Sequence, residues 1–195
     1  MTLRQGSGRA PAVFLDRDGT LIQDIGYLRF PREVKFYPWS IDAVRALNQA
    51  GLPVVVITNQ SGVARGIFTE PMIEDVHRHL SMMLDAGGAR IDAYYYCPHH
   101  PEGIVEIYRR RCACRKPGCG MIERASAELD LDPARSFAVG DKWVDVGAAH
   151  AAGARGILVR TGYGATEEAE PPADLTADAV VDNLVEAVSW ILRQC

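Results

Sequence analysis

Short apolar runs bounded by turn residues alternate along the chain with stretches in which apolar residues recur every three or four positions. This is the pattern of βαβ units building a parallel sheet. The runs predict strands over Ala12–Leu15, Pro53–Thr58, Asp92–Tyr96, Ser136–Val139, Gly156–Arg160 and Ala179–Val181. Ile41, Val44 and Leu47 mark a helix stripe ending at Gly51, a residue free to take the left-handed conformation that closes a helix. A second helix is expected after Thr69 as N-cap, with Met72, Ile73, Val76, Leu80 and Met83 on one face and its end near Gly87-Gly88. Its methionines read as core filler. Further helices fit Met121–Leu129, Val144–Ala152 and Leu184–Leu192, while Pro171-Pro172 and its acidic neighbours read as a surface loop. No internal repeat or low-complexity tract interrupts this order.

Composition narrows the picture. A chain of 195 residues, 48% hydrophobic and 24% charged, suits one α/β domain spanning 1–195 that buries a sheet between two helical layers. The net charge of −4 provides no global basic field for nucleic acid or an anionic membrane, so any phosphate-binding charge must be local. The stretch from Met1 to Pro11 is polar and Gly-rich, without the apolar core of a signal peptide, and no later run approaches a membrane span. A cytoplasmic protein is expected. Five cysteines in that compartment argue against disulfides, and three of them cluster with histidines, which points to a metal.

The chemistry gathers where strands stop. The first strand runs into Asp16-Arg17-Asp18-Gly19-Thr20, two carboxylates at an expensive place for charge. In open α/β sheets ligands bind outside the carboxyl ends of the strands, whereas the plain alternative is a turn with solvated acids. The second strand ends in Thr58-Asn59-Gln60-Ser61-Gly62, which offers a hydroxyl, two amides and backbone N–H groups to an anion. The fourth ends in Gly140-Asp141-Lys142, with Asp145 one helical turn beyond Asp141; Arg115-Lys116-Pro117 supplies adjacent cations before a helix. Together they suit phosphoryl transfer from an alkyl phosphate. Asp16 is the candidate nucleophile, with Mg²⁺ bridging Asp16, Asp141 and a phosphate oxygen to offset charge. Thr58 and Lys116 bind the other oxygens, and Asp18 protonates the leaving oxygen and then activates water.

Asp16-x-Asp18-Gly19-Thr20, Thr58, Lys116 and Gly140-Asp141-x-x-x-Asp145 resemble, in order, the four motifs of the haloacid dehalogenase superfamily. The resemblance implies a Rossmann-like three-layer sandwich with a parallel sheet in the order 3-2-1-4-5, the pocket lying over strands one, two and four. It also implies that the backbone carbonyl of Asp18 joins Asp16 and Asp141 around Mg²⁺. The dehalogenases of the superfamily lack the second aspartate, so Asp18 favours phosphate chemistry. The intervals where mutases carry a large cap hold only a short loop and a helix each, so a capless enzyme is expected.

After the third strand come Cys97-Pro98-His99-His100-Pro101 and then Cys112-Ala113-Cys114, with twelve residues between His99 and Cys112. Cys97, His99, Cys112 and Cys114 fit a closed S₃N site for structural Zn²⁺ bracketing the loop 97–114, with His100 a competing donor. Cys119 and Cys195 fall outside the pattern. Arg109-Arg110-Arg111 in this loop raises a nucleic-acid-binding zinc module as a reading from a different class, but the triplet has no interleaved aromatics and reads as a solvated face.

With this loop included, the chain from Ala12 to Arg160 resembles the D-glycero-D-manno-heptose-1,7-bisphosphate 7-phosphatase family. The residues carrying the likeness include Phe14-Leu15-Asp16-Arg17-Asp18, Gly26-Tyr27, Thr58-Asn59-Gln60-Ser61-Gly62-Val63-Ala64-Arg65-Gly66, Tyr95-Tyr96-Cys97-Pro98-His99-His100-Pro101, Cys112-x-Cys114-Arg115-Lys116-Pro117 and Gly140-Asp141-Lys142. The resemblance implies a sugar bisphosphate substrate, a role in nucleotide-activated heptose biosynthesis for lipopolysaccharide core or related glycans, and contacts from Asp24, Ile25, Gly26, Tyr27, Asn59, Gln60, Ser61, Arg115 and Lys142. Histidinol-phosphate phosphatase is the nearest alternative; its zinc loop is typically shorter. Gly118-Cys119-Gly120 departs from the family pattern, where a proline and no thiol is expected. Trp143 reads as packing. A monomer walled by its own loops is expected, and closure by a neighbouring subunit is equally consistent.

Overall fold

The computed structural model describes residues 8–195; of the polar N-terminal stretch, residues 1–7 lie outside the described residues. Six strands form one parallel sheet in the order β3-β2-β1-β4-β5-β6. They are β1 (Val13–Leu15), β2 (Val54–Asn59), β3 (Ala93–Cys97), β4 (Phe137–Gly140), β5 (Arg155–Val159) and β6 (Ala179–Val181). The expected order 3-2-1-4-5 is correct and is extended by one edge strand. Alternation through β1 sorts the two faces: Val13 and Leu15 enter one apolar core, and Phe14 enters the other.

On the first face lie α1 (Ser40–Gln49), α2 (Glu70–Ala86) and α6 (Leu184–Leu192), through residues such as Val44, Leu47, Val76, Leu80, Val188 and Ile191. On the second lie α3 (Gly120–Glu128) and α4 (Trp143–Ala151), through Met121, Ile122, Ala148 and Ala149. The result is the three-layer sandwich the pattern predicts.

Helix ends follow the turn residues. Gly51 and Gly88 take φ of 77° and 71° just beyond α1 and α2. Thr69 holds the N-cap position of α2, but its side chain makes no capping hydrogen bond. Of the α2 methionines, Met72 and Met83 pack against the cores, whereas Met82 is 64% exposed. A short helix after β5, α5 (Gly164–Ala169), lacks an apolar stripe and escapes pattern reading. No helix of the described residues is long and apolar enough to cross a membrane.

Candidate active site and metal-ligand loop

Because every strand is parallel, the loops after β1, β2 and β4 open on one edge of the sheet, and a cleft of about 430 Å³ lies there. Asp16, Asp18, Asp24, Gly26, Tyr27, Thr58, Asn59, Gln60, Ser61, Lys116 and Lys142 all line it. Asp141 is fully buried. Two residues named for substrate contact lie elsewhere. Ile25 is largely exposed and outside the lining, and Arg115 faces an adjoining depression of about 260 Å³ shared with His100, Arg111 and Lys116. Phe68, Val144 and Tyr163 also line the cleft and were not legible as site residues. Tyr163 stands in the loop after β5, on the same carboxyl edge, which was its one available signal. Phe68 had none.

Lys116 is the pivot. Its Nζ lies 2.6 Å from Asp16 Oδ1 and 2.5 Å from Asp145 Oδ1, and it donates to the Ile57 carbonyl at 2.9 Å, all within the interior. Its backbone is held by Asn59, whose side chain donates to the Lys116 carbonyl at 3.2 Å and accepts from its N–H at 3.1 Å. The named amide at the end of β2 thus serves first to place the lysine. Burial opposes the ammonium, but the Asp145 and Asp16 carboxylates overcome it and raise its pKa.

The carboxylates carry more charge than Lys116 offsets. Burial raises Asp16 to about 6 against the pull of Lys116, with Asp145 and Asp18 adding to the rise. Burial and then Asp16 raise Asp141 to about 8, although Lys142 and the Tyr163 N–H, which donates to Asp141 Oδ2 at 2.8 Å, work the other way. Asp141 Oδ1 is buried with no hydrogen-bond partner. Oxygens of Asp16, Asp141 and Asp145 all lie within 4.8 Å of one another. Hard oxygen donors, a charge surplus and an orphaned carboxylate oxygen fit a divalent cation such as Mg²⁺. Asp145, read from sequence as part of the fourth motif but given no role, joins this group and also anchors Lys116.

Gly19 has a φ of 89°, and a Cβ there would collide with the Asp141 carboxylate, so the residue after Asp18 must be glycine for β1 and β4 to close over the acids. Lys142 Nζ lies 3.4 Å from Asp24 Oδ2 and 4.3 Å from the centroid of the Tyr163 ring, and Asp24 Oδ1 accepts from the Gly26 N–H at 2.7 Å. The rim loop 24–27 is thereby tied to the loops after β4 and β5. Trp143 lies outside the lining, its indole N–H donating to the Glu167 carbonyl at 2.6 Å.

The second cluster stands beyond β3. Sulfur–sulfur distances among Cys97, Cys112 and Cys114 are 3.2–3.5 Å, and His99 Nδ1 lies 3.5 Å from Cys114 Sγ and 3.7 Å from Cys97 Sγ. All five cysteines are free, and these separations are far longer than an S–S bond of about 2.05 Å. Bonds of about 2.3 Å to sulfur and 2.0–2.1 Å to nitrogen place the corners of a zinc tetrahedron some 3.5–3.8 Å apart, so the four residues fit Zn²⁺. Burial raises the Cys97 thiol, as does contact with Cys114, so this thiol gains from a cation beside it.

His100 does not compete for the ligand position. Its Nδ1 accepts from the Glu102 N–H at 3.1 Å and its Nε2 lies 3.3 Å from Arg65 Nη2. Of the exposed run Arg109, Arg110 and Arg111, Arg110 folds back to within 2.7 Å of His99 Nε2. Glu70 at the start of α2 accepts from Tyr108 Oη at 2.5 Å and from Tyr96 Oη at 2.7 Å, fastening the loop to the domain. At Gly118-Cys119-Gly120 the backbone packs tightly on Ala113, and nothing in the structure explains the thiol at 119. A Cβ at Gly118 would strike the Ala113 carbonyl, and the Gly120 N–H donates to that oxygen at 3.0 Å. Cys119 stays outside the cluster.

A family model described as HAD-hydrolase-like matches residues 113–187. The chain is 46% identical over 173 residues to the D-glycero-beta-D-manno-heptose-1,7-bisphosphate 7-phosphatase of Escherichia coli K12, covering 88% of this chain and 91% of that protein. Its identity to the Yersinia pestis protein of the same name is 43%, covering 88% and 92%. The crystal structure of D,D-heptose 1,7-bisphosphate phosphatase from B. bronchiseptica, complexed with magnesium and phosphate, superposes with a TM-score of 0.84 at 35% identity, covering 95% of this chain and 99% of that one. The enzyme of that name from Burkholderia thailandensis gives 0.68 at 30%, covering 93% and 98%. The histidinol-phosphate alternative finds no support in these relatives.

Proposed function

Since the chain belongs to the D-glycero-beta-D-manno-heptose-1,7-bisphosphate 7-phosphatase family, we propose that it removes the 7-phosphate of the D-glycero-D-manno-heptose bisphosphate through an aspartyl-phosphate on Asp16. The observation that carries this reading is the buried Asp16 carboxylate on the cleft wall, paired to Lys116 at 2.6 Å, with Asp18 lining the same cleft.

An Asp16 oxygen attacks phosphorus as the bond to the sugar oxygen breaks, and Asp18 gives that oxygen its proton. Asp18, now a carboxylate, takes a proton from water; the resulting hydroxyl attacks phosphorus, and phosphate leaves with Asp16 restored. Lys116 and the Thr58 hydroxyl bind the phosphoryl oxygens where charge is concentrated. Asp16, Asp141 and the Asp18 carbonyl would hold Mg²⁺, which when bound offsets the repulsion between carboxylate and phosphate dianion. Cys97, His99, Cys112 and Cys114 would hold Zn²⁺, pinning the loop 97–114 as part of one catalytic domain, 1–195. The enzyme is read as a cytoplasmic monomer that acts on a small sugar phosphate in nucleotide-activated heptose synthesis.

Selectivity must come from groups that reach the sugar and its second phosphate: the cleft-lining Asp24, Gly26, Tyr27, Asn59, Gln60, Ser61 and Lys142, and from the adjoining depression Arg115, whose planar cation opens beside Lys116; Ile25, outside the lining, is not among them. Heptose 1,7-bisphosphate is expected to be hydrolysed at the 7-position with kcat/KM at least about a hundredfold above histidinol phosphate, as a few kcal/mol of differential contacts gives. Arg115→Ala should erode that ratio more than it slows p-nitrophenyl phosphate. Equal or better turnover of histidinol phosphate in a phosphate-release screen would overturn the heptose reading and leave the phosphatase chemistry standing.

A further inference from the structure

Arg17 stands between the two motif aspartates, and its side chain is only 1% exposed. It does not enter the cleft lining. Its guanidinium turns onto the adjacent Asp18, with Nη2 2.9 Å from Oδ2 and 3.2 Å from Oδ1, and Nε 3.2 and 3.3 Å from the same oxygens. The remaining terminal nitrogen, Nη1, lies 3.3 Å from Nε2 of His77 on α2. His77 is itself buried, stacked on Tyr94 at 4.6 Å between ring centroids and edge-on to Tyr96 at 6.0 Å. Neither residue has a role in the reaction described above, although a buried arginine and a buried histidine are both costly to keep.

We propose that Arg17 and His77 are a buried pair of positioning residues that fixes the Asp18 carboxylate for its proton transfers, with His77 acting on Asp18 only through Arg17. The inference rests on the reading of Asp18 as general acid and base.

The donor inventory dictates how the pair works. A guanidinium has no acceptor, so Nη1–H donates and His77 Nε2 accepts, which places the ring proton on Nδ1. Burial, and then the Arg17 charge, lower the ring's pKa to about 3, so the imidazole stays neutral while it holds the guanidinium. A carboxylate in its place would compete for the arginine's charge, and a lysine would repel it. A neutral acceptor anchors the fork by geometry alone, so that the guanidinium keeps one orientation against Asp18. From the other side, Gln60 Nε2 donates to Asp18 Oδ2 at 2.8 Å and to Thr58 Oγ1 at 2.9 Å, linking the aspartate to the phosphate-binding hydroxyl. Asp18 is therefore held by α2 through Arg17 and by the loop after β2 through Gln60, with 16% of its side chain left open.

Leaving-group chemistry separates positioning from mere packing. An alkoxide must be protonated as it departs, whereas p-nitrophenolate leaves unaided, so a displaced acid slows phosphoenzyme formation from an alkyl ester selectively. The test compares single-turnover phosphoenzyme formation from heptose 1,7-bisphosphate and from p-nitrophenyl phosphate in Arg17→Lys, His77→Leu and His77→Gln with Mg²⁺ present. Each ratio is internal to one variant, so partial loss of folded protein cancels. Arg17→Lys and His77→Leu are expected to lower the alkyl rate at least about tenfold more than the aryl rate, within the range a misplaced proton donor costs. KM for the bisphosphate should change less than kcat, and His77→Gln, which keeps a neutral acceptor, should recover most of the ratio. Equal slowing of both esters, or the same ratio for His77→Leu and His77→Gln, overturns the inference without touching the phosphatase reading. That reading itself fails if Asp18→Asn forms phosphoenzyme from the alkyl ester at the unmodified rate.

Discussion

The acidic cluster of Asp16, Asp141 and Asp145 and the soft cluster of Cys97, His99, Cys112 and Cys114 both fit a metal, but the chain builds them differently. Asp16 and Asp141 come from the loops after β1 and β4 and Asp145 from the first turn of α4, elements that only the sheet brings together, and they sit in the interior around one internal cation, Lys116. The thiols and the imidazole come from one stretch of eighteen residues that closes on itself. Oxygen donors left partly unsatisfied beside an open cleft suit an exchangeable ion that takes part in chemistry, whereas a complete S₃N set leaves no position for substrate and suits a structural ion. The lesson is that the open ligand position, more than burial, separates a working metal site from a stapling one.

The comparison breaks first at Asp16. Asp16→Asn keeps the shape of the side chain but not its nucleophilicity, and should lower turnover by at least about 10³-fold with the fold intact by circular dichroism. Substantial activity in that variant, or failure of the unmodified enzyme to trap beryllium fluoride on Asp16, would remove the covalent mechanism.

Metal removal sharpens the contrast. Elemental analysis should find about one zinc per chain, from the ligand count. A strong thiol-competitive chelator should lower Tm by roughly 5 °C or more, as a loss of about 2 kcal/mol does in a chain of this size. Dialysis into Mg²⁺-free buffer should instead silence turnover reversibly while zinc stays bound. Fully active protein without zinc would dismiss the stapling role.

The smallest effect is in pH. Asp16 and Asp141 ionise near 6 and 8 in the metal-free fold, against an ordinary aspartate value of 3.8, so the folded state holds protons that the unfolded chain has already released. Their contribution to stability is therefore lost as pH rises from 3.8 to about 8, the reverse of a salt-bridged carboxylate. Thermal scans of metal-free protein should show Tm falling across that window relative to an Asp141→Asn variant, and saturating Mg²⁺ should flatten the difference. A difference independent of pH would mean that these acids are not strained by their burial.

Much of the architecture was legible because it obeys local rules. Apolar runs of strand length, stripes of helical period and glycines beyond α1 and α2 each leave a mark in a few consecutive residues, and the observed elements fall within a residue or two of those marks. The four zinc-type ligands were legible for the same reason, being close in sequence and unusual in composition. Placement at strand ends also marked the acids and Lys116, the demands of phosphoryl transfer suggested their roles, and likeness to a family agreed with them.

The sequence by itself therefore determined the layered α/β class, the strand ends that carry charge and the ligand set of the loop. Only the tertiary structure decided the pairings across distance: Asp145 and Asp16 sharing Lys116, Asn59 clamping that lysine's backbone, Arg115 turned to a neighbouring depression, Phe68 and Tyr163 brought to the cleft, and His77 set behind Arg17. A periodic pattern reports which face of an element is buried, whereas which buried polar groups meet depends on how twisted strands and packed helices align residues distant in sequence, such as Asp16 and Lys116, 100 positions apart.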